Sequence, residues 1–439
     1  MGSKVFKKIL ASLIFLLTVN FVSAQLVYDK PESVGLNAHY IESNVDSIMQ
    51  DAITQKAFPG AQLLVTKKGK IIFHKTYGFH TYDSIQKVEK DDVYDLASVT
   101  KITGPLPALM KLYEEGTLNL DVPFSTYWPS WKNRKDKKDI TLRELLAHQS
   151  GMNPYIVFLS DVLRKGKPKN RFIKTKNQKR FSNKVYNNLY VKNRFNKKVF
   201  RKIKRSKVND EKTYVYSGLA SLIYPTLIEN ITGENYEDYL NNNFFKPLGT
   251  EVLGYNPMNK KFKNTIVPTE LDTLFRKDFV KGYVHDENAA LLGGVSGNAG
   301  LFATALDLAK YMQMLVQKGT YNRKQYFKPS TVEEFIKIQY PENNNRRGLG
   351  FDKPLIGNDT LNIQEAYPAP QVSPTSFGHS GFTGTFVWAD PEHELVFIFL
   401  SNRVYPSRSH RNIYNLNVRP KLQQVFYTSP NSEEKLTNN

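Results

Sequence analysis

The sequence predicts an α+β fold with an α/β lobe and an all-α lobe, in which one antiparallel sheet of five or more strands is flanked by terminal helices. Strand-like segments lie near both ends of the chain, at 61–73 and 384–400, and the middle is mostly helical. The terminal strands must pair with each other, because unpaired edges promote aggregation. We therefore expect a sheet lobe at about 25–120 and 290–428, a helical lobe at about 121–289, and a ligand cleft between them.

The first two elements are a helix and a hairpin. Apolar residues recur at helical spacing between residues 37 and 55, which predicts a helix packed on a flat surface. Residues 61–65 and 71–73 are rich in aliphatic side chains. The Lys68-Gly69-Lys70 turn between these two segments predicts a hairpin.

Capping signals mark the helices that follow. Thr141-Leu142-Arg143-Glu144 and Ser330-Thr331-Val332-Glu333 both fit the capping box, in which the first and fourth residues satisfy free N–H groups at a helix start. Thr304 is expected to cap a further helix, and Gly319 is expected to end it.

The C-terminal third returns to strands. Residues 384–389 and 395–400 predict two strands, and the Asp390-Pro391-Glu392-His393 segment predicts the turn between them. An amphipathic helix is expected at about 409–426.

The composition fits a globular protein with an ample core. Of 439 residues, 40% are hydrophobic and 13% are aromatic, which is too rich in packing groups for a disordered chain. The absence of cysteine excludes disulfides, thiolate metal sites and a cysteine nucleophile. The formal charge of +20 suggests an anionic partner, so its position along the chain matters.

The positive charge is concentrated in a basic insertion at 164–212. This segment carries 20 Lys and Arg residues against only two acids, Asp210 and Glu211. Its lysines alternate with aromatic residues, a pattern that could bind single-stranded nucleic acid. The other two interpretations are a solvated accessory arm and contact with an anionic polymer of the cell envelope. We expect no nucleic-acid partner, because the N-terminus indicates export.

The N-terminus has the pattern of a secretory signal peptide at 1–24. Lys4, Lys7 and Lys8 precede an apolar run of about 14 residues, and Val22-Ser23-Ala24 provides the small residues of a cleavage site. A spanning helix needs roughly 20 apolar residues, so an uncleaved membrane anchor is the weaker alternative. We predict an exported protein, periplasmic or secreted, with no transmembrane segment after signal cleavage.

A serine and a lysine three residues apart are the first candidates for chemistry. Ser98 and Lys101 would share one face of a helix, where the helix dipole favours negative charge on the serine and a buried lysine can act as its general base. The same spacing at Ser84 and Ser432 lies in polar segments without a packed helix behind it. We therefore predict that Ser98, and neither of the other two serines, is the nucleophile.

Two further motifs strengthen this interpretation. Tyr216-Ser217-Gly218 precedes a helical pattern, and His379-Ser380-Gly381 opens the C-terminal strands with small residues that let a substrate approach. With Ser98-Val99-Thr100-Lys101, the chain resembles the serine β-lactamase and penicillin-binding-protein superfamily. The resemblance covers the whole mature chain, 25–439. It points to the branch of class C β-lactamases, D-Ala-D-Ala carboxypeptidases and esterases, with a penicillin-binding protein 4B-like subgroup, and implies a β-lactamase/transpeptidase-like fold.

The resemblance implies the catalytic roles. Ser98 would be the acylated nucleophile and Lys101 its base. Tyr216 would relay protons to the leaving group and help to activate water, with Tyr214 as a rival for this role.

The same resemblance implies the substrate-binding groups. The third motif, His379-Ser380-Gly381, would contact the substrate, with His379 in place of the usual lysine. The backbone N–H groups of Ser98 and Phe382 would form the oxyanion hole, the pair of donors that stabilises the charged oxygen of the tetrahedral intermediate.

Two features depart from the family pattern. Gly218 stands where the second motif normally has Asn or Asp, so the amide that contacts the substrate is missing unless Ser217 or Asn298 fills its role. Gly104-Pro105-Leu106-Pro107 interrupts the helix behind the serine and lysine. We expect that helix to restart near its second proline, Pro107.

No metal and no cofactor are expected, because His148 and His285-Asp286-Glu287 lack ligand spacing. We predict an exported serine hydrolase that acts through a Ser98 acyl-enzyme on a D-amino-acid peptide, ester or amide. Its substrate would be a small molecule or derive from peptidoglycan. The alternatives are a β-lactamase proper and a non-catalytic envelope-binding protein that uses the insertion at 164–212.

Overall fold

The computed structural model describes residues 25–260 and 262–431. The predicted signal peptide at 1–24 and the motif at Ser432 lie outside these residues. The α-helices within the described ranges are labelled α1 to α15 in chain order: Ala38–Thr54, Thr100–Thr103, Pro105–Glu114, Leu142–Leu146, Leu159–Val162, Phe195–Arg205, Tyr224–Thr232, Tyr236–Leu240, Lys246–Leu248, Pro257–Lys260, Glu287–Leu291, Ala305–Val316, Pro329–Ile336, Asn412–Asn415 and Val418–Val425.

The main sheet has six strands, labelled β1 to β6 in chain order: Val27–Tyr28, Gly60–Lys67, Lys70–Gly78, Phe377–Ser380, Phe386–Asp390 and Leu395–Ser401. Their spatial order is β1-β3-β2-β6-β5-β4. All neighbouring strands are antiparallel except β1, which runs parallel to β3. The predicted α+β fold is confirmed, and the short edge strand β1 makes its sheet mixed.

Short strands outside the main sheet form small two- and three-stranded pairings. Their bounds are Tyr94–Asp95, Leu163–Arg164, Lys167–Pro168, Ile173–Lys174, Asn183–Tyr186, Leu189–Val191, Gly254–Tyr255, Glu270–Asp272, Asp278–Val280, Leu301–Ala303, Thr320–Tyr321 and Lys324–Gln325.

Helices cover both faces of the main sheet. The two ends of the chain meet where β2 pairs with β6, with Leu63 opposite Phe399. Successive side chains of a strand face opposite sides, so Leu63 packs with α1 and α15 and Leu64 packs towards α12 and the helical lobe. None of the helices in the described ranges is long and apolar enough to cross a membrane. The lobe division near residues 120 and 290 stays a prediction.

The predicted helix starts are correct in two cases and wrong in one. Thr141 forms its capping box, and Thr304 accepts a hydrogen bond from the helix that it precedes. The second capping box is wrong, because α13 begins at Pro329 and Ser330 already lies inside the helix. Proline has a fixed φ and no N–H, so it starts a helix without needing a side-chain cap.

Three other boundaries differ from the expectations. After the break at Gly104 the helix restarts at Pro105, again because proline suits a first helical position. His379 lies in its own strand, β4, and does not open the strand expected at 384–389. The C-terminal helix is divided into α14 and α15 by Asn417, whose φ of 53° is left-handed and interrupts an α-helix.

The basic insertion is folded and packed on the helical lobe. It contains α6, and its inward apolar side chains are buried in the main core. These are Ile173, Val185, Val191, Phe195, Val199 and Ile203. The rings of Phe200 and Trp128 meet edge to face, with their centroids 5.3 Å apart. The backbone N–H of Asn209 donates a hydrogen bond to Gly151 O. The interpretation as a merely solvated arm is therefore wrong, because deleting the segment would expose core residues.

Candidate active site

Ser98 lies on the nucleophile turn, a 3₁₀ turn at Ala97–Val99, and contacts Lys101 in α2, the helix that follows the turn. Lys101 Nζ donates to Ser98 Oγ over 2.9 Å and to the backbone oxygen of Asn298 over 3.1 Å. Lys101 is buried, with 8% of its surface exposed. The hydroxyl and the amine are thus within the distance that direct proton transfer requires.

The nucleophile turn is strained at Ala97, whose φ is 44°. This left-handed conformation is unfavourable for alanine, and neighbouring bonds must hold it. Asp95 does so: its carboxylate accepts from Ala97 N at 2.8 Å and from His285 N at 2.6 Å. Burial raises the pKa of the Asp95 carboxyl. The sequence analysis missed Asp95, although an aspartate that bonds a backbone N–H two residues on is a known turn signal.

Both candidate tyrosines, Tyr214 and Tyr216, line the cleft. The ring centroid of Tyr216 lies 5.3 Å from Lys101 Nζ and 4.6 Å from the ring of His148. His148 Nδ1 accepts from Ser217 N at 3.3 Å. Burial and nearby cations hold the pKa of His148 well below its usual value, so the ring is neutral. His148 therefore fixes the start of the second motif, a role that the sequence analysis did not assign to it.

His379 is buried and neutral. Burial, with the nearby Arg347 cation, lowers its pKa to about 3. Its Nδ1 lies 2.7 Å from Ser380 O, and since a carbonyl oxygen only accepts, Nδ1 carries the proton. Its Nε2 is then an acceptor, and it has no partner among the described residues. His379 therefore cannot supply the positive charge of the lysine that it would replace.

The two predicted oxyanion donors are free. Within residues 25–260 and 262–431, no hydrogen bond occupies the backbone N–H of Ser98 or of Phe382. Both residues line the same cleft, which has a volume of about 490 Å³. The geometry is consistent with an oxyanion hole, whose donors must remain unpaired until the substrate binds.

Arg346 and Arg347, which the sequence analysis missed, line the cleft together with Arg419 of α15. Arg346 and Arg347 pair with Asp352 at 2.8 and 3.0 Å, so the three side chains together carry one net positive charge. Arg347 is 2% exposed, and its guanidinium lies 5.6 Å from the ring centroid of Tyr216. No motif spacing marks Arg346 and Arg347, which lie in a loop before β4.

The space beside Gly218 is empty. A Cβ at this position would meet no heavy atom within 4 Å. Ser217 Oγ donates to Asn153 O, so this hydroxyl is already used in the fold. Asn298 contacts Lys101 only through its backbone oxygen, and its side chain bonds Ser296 and Asp286. In this chain the backbone oxygen of Asn298 contacts Lys101, where the second-motif asparagine of the family would do so.

The arrangement is suited to acyl transfer. A serine bonded to a buried lysine, with free backbone donors beside it, supplies a nucleophile, a base and oxyanion stabilisation. In the part of the chain that the structure describes, no three His, Asp or Glu side chains are placed to hold a metal ion. His285, one of the residues considered for a metal site, has its Nε2 2.8 Å from Glu270 Oε2. The fold and this site define a serine acyl-transfer enzyme.

Comparison with known proteins identifies the family. The family model described as Beta-lactamase matches residues 44–419, so the chain belongs to the β-lactamase family and is a serine hydrolase. A relative from Escherichia coli (strain K12), described as "Putative D-alanyl-D-alanine carboxypeptidase", is 28% identical over 405 residues, covering 86% of each chain. A relative from Salmonella gallinarum with the same description is 28% identical over 421 residues, covering 90% of this chain and 89% of its own.

Solved structures share the fold. EstCE1, described as a hydrolase with promiscuous acyltransferase activity, has a TM-score of 0.61 at 16% identity and covers 88% of this chain and 98% of its own. A penicillin-binding protein homologue from Caulobacter crescentus also has a TM-score of 0.61 at 16% identity. The match covers 89% of this chain and 99% of the homologue. The superfamily resemblance inferred from the motifs is confirmed.

The neutral state of His379 predicts a loss of stability in acid. An unfolded histidine binds a proton near pH 6.5, whereas folded His379 binds one only near pH 3. Between these values the unfolded chain binds more protons, so stability falls as the pH drops, by up to about 1.4 kcal/mol per pH unit for this residue.

The measurement is the free energy of unfolding in urea between pH 4 and pH 7, at about 0.5-unit steps. His379→Gln should make the curve shallower, with buried His148 still contributing to the slope, whereas the matched variant of the exposed His39, His39→Gln, should leave the slope unchanged. An equal slope in wild type and His379→Gln would contradict the neutral assignment.

Proposed function

We propose that this protein is an exported D-alanyl-D-alanine carboxypeptidase-like hydrolase, which cleaves D-amino-acid peptides through a Ser98 acyl-enzyme. The observation that carries the proposal is the hydrogen bond between Lys101 Nζ and Ser98 Oγ, in a cleft that also holds a net positive charge. The descriptions of the Escherichia coli and Salmonella relatives support this substrate class. Related esters and amides are expected to react at the same serine.

In the proposed reaction, Ser98 Oγ attacks the substrate carbonyl while Lys101 Nζ, as the free amine, accepts the hydroxyl proton. The N–H groups of Ser98 and Phe382 bind the resulting oxyanion. The bond to the leaving amine then breaks as Tyr216 relays a proton to the amine. Water attacks the acyl-enzyme in the second half-reaction, which releases the acid and restores the serine hydroxyl.

The charge of the cleft favours a leaving group that carries a carboxylate. Neutral His379 cannot bind an anion as the usual lysine would. Arg346 and Arg347 exceed Asp352 by one positive charge, and arginine suits carboxylates because its donors match both oxygens. A C-terminal D-amino acid has such a carboxylate, whereas a neutral ester does not. This supports a carboxypeptidase over a neutral-ester esterase.

A β-lactamase proper is the second candidate, and Gly218 disfavours it. An asparagine there would offer two donors and one acceptor to the amide side chain of a lactam. Neither Ser217 nor the Asn298 side chain replaces these groups, because both are already bonded elsewhere. A non-catalytic envelope-binding protein is disfavoured by the assembled Ser98–Lys101 contact.

We also propose that the basic insertion binds an anionic polymer of the cell envelope. Among the described residues, only three of its 20 cations pair with acidic side chains: Lys198 and Lys202 with Asp161, and Lys212 with Glu144. The apolar face of α6 is buried within the fold, so the helix cannot insert into a lipid layer. The outward cations remain available to a polyanion, which gains affinity by releasing counterions.

Covalent labelling tests the proposed nucleophile and base. Wild type should be labelled by a fluorescent penicillin and a fluorophosphonate, and Ser98→Ala should lose both labels. Lys101→Arg should also lose them, because a guanidinium keeps its proton. The matched controls are Ser84→Ala and Lys87→Arg, which alter the exposed Ser-x-x-Lys copy. Labelling retained in Ser98→Ala, or acylation retained in Lys101→Arg, would contradict the assignments.

Gly218→Asn tests the substrate argument. The empty space beside Gly218 can accept the side chain, and an unpaired amide costs roughly 1–3 kcal/mol. The variant should therefore raise kcat/KM for a cephalosporin relative to a nitrophenyl ester by about tenfold or more. Gly233→Asn, at a position that is also open, is the control for a surface change. An unchanged ratio would mean that another group already contacts the lactam.

Charge reversal tests the polymer proposal without disturbing the core. Lys197, Arg201 and Arg205 are exposed on α6, so the triple variant K197E/R201E/R205E should fold normally. Its affinity for polyglycerol phosphate should fall at least about tenfold with a shallower salt dependence, because fewer counterions are released. Turnover of a small ester should stay within about twofold. Equal affinity in both proteins, or tighter binding of wild type to single-stranded DNA, would reject the proposal.

A further inference from the structure

Two buried arginines, Arg403 and Arg419, have no acidic partner within residues 25–260 and 262–431. They are 1% and 5% exposed. A buried charge without a counter-ion is costly unless dipoles or aromatic faces surround it. Both guanidinium groups bond backbone carbonyls and lie over aromatic rings, and they share the ring of Tyr414, at 5.1 and 5.4 Å. The serine–lysine chemistry described above does not use either of them.

Their hydrogen bonds converge on the backbone of Phe382. Arg419 Nη2 donates to Gly381 O at 3.3 Å, and Arg403 Nε donates to Phe382 O at 2.8 Å. The Arg403 guanidinium also lies 4.3 Å from the Phe382 ring centroid. Gly381 O belongs to the same peptide group as the Phe382 N–H. The two cations therefore bond the carbonyls on either side of the proposed oxyanion donor.

A cation on a peptide carbonyl has two effects on the N–H of that peptide. It fixes the peptide plane, and it draws electron density towards the oxygen, which strengthens the N–H as a donor. Two fixed positive charges nearby also stabilise negative charge that develops in the transition state.

We propose that Arg419 and Arg403 are positioning residues that orient and polarise the Phe382 N–H of the oxyanion hole. This inference rests on the proposed function, because it presumes that the Phe382 N–H binds the oxyanion. Arg419 would act through the peptide that carries the donor, and Arg403 through the following peptide and the Phe382 ring.

The test compares Arg419→Met and Arg403→Met with Arg411→Met. Arg411 is exposed and stacks on the same Tyr414 ring at 5.2 Å, so it controls for the loss of a nearby cation. The substrate is a neutral nitrophenyl ester without a carboxylate. Each buried-arginine variant should lose about tenfold in kcat with KM within about twofold, less than the 10²–10³ typical of deleting a donor outright. Arg411→Met should match wild type.

A transition-state analogue provides a second readout. The affinity for an arylboronic acid, which forms a tetrahedral adduct on the serine, should fall by the same factor as kcat/KM. Arg419→Lys should recover part of both losses, because an ammonium can still donate to Gly381 O. Thermal unfolding of each variant shows whether a loss of activity comes from misfolding. If Arg403→Met does not fold, the proposal is tested with Arg419→Lys and Arg419→Gln alone.

Three results would overturn the inference. These are unchanged kcat in the Arg419 variants, a loss shared equally by Arg411→Met, and a loss confined to the KM of carboxylate-bearing substrates. The last result would mean that Arg419 binds substrate directly. Failure of the proposed function is distinguishable, because wild type would then show no fluorophosphonate label on Ser98.

Discussion

The close approach between the turn after β4 and the segment before Ser98 is the constraint on which the site depends. A Cβ at Gly381 would lie 2.0 Å from Thr385 Oγ1 and 2.5 Å from Leu96 O, so a larger residue could not occupy this position. Thr385 Oγ1 donates to Leu96 O at 3.0 Å, which ties the sheet edge to the nucleophile turn. Because Gly381 precedes one proposed oxyanion donor and Leu96 precedes the strained Ala97, this contact couples the two halves of the site.

The charges of the cleft follow from burial. His379 and His148 are held neutral by desolvation, so they contribute hydrogen-bonding groups and no charge. Positive charge is instead supplied by arginines, whose guanidinium groups keep their protons when buried. In a cleft with fewer acids than cations, an anionic substrate and a developing oxyanion are both favoured. Arginines from other parts of the chain thus carry the positive charge that the buried His379 lacks.

The basic insertion has two faces with different properties. Its inward side chains complete the core of the helical lobe, so its apolar residues are required for folding. Its outward cations are largely unpaired and therefore cost stability through mutual repulsion. The fold itself needs only the apolar face, and the proposed anionic polymer would account for the cationic one.

Local patterns in the sequence determined much of this protein. The α+β class, the hairpin, two helix caps and the Ser98–Lys101 spacing could be predicted, because periodicity and three-residue spacing are properties of short segments. The motif order also sufficed to recognise the superfamily. The capping-box pattern at Ser330 predicted the wrong helix start, because the proline before it, Pro329, begins the helix without a side-chain cap.

Only the tertiary structure decided the electrostatics of the site and the packing of the insertion. Arg403 and Arg419 act on carbonyls 21 and 38 residues away, and no local pattern records such contacts. Burial of Phe195 and Val199 depends on surfaces contributed by the helical lobe, so the charge of their segment suggested a solvated arm. Burial and long-range contacts are properties of the whole fold, because they depend on which distant segments pack together.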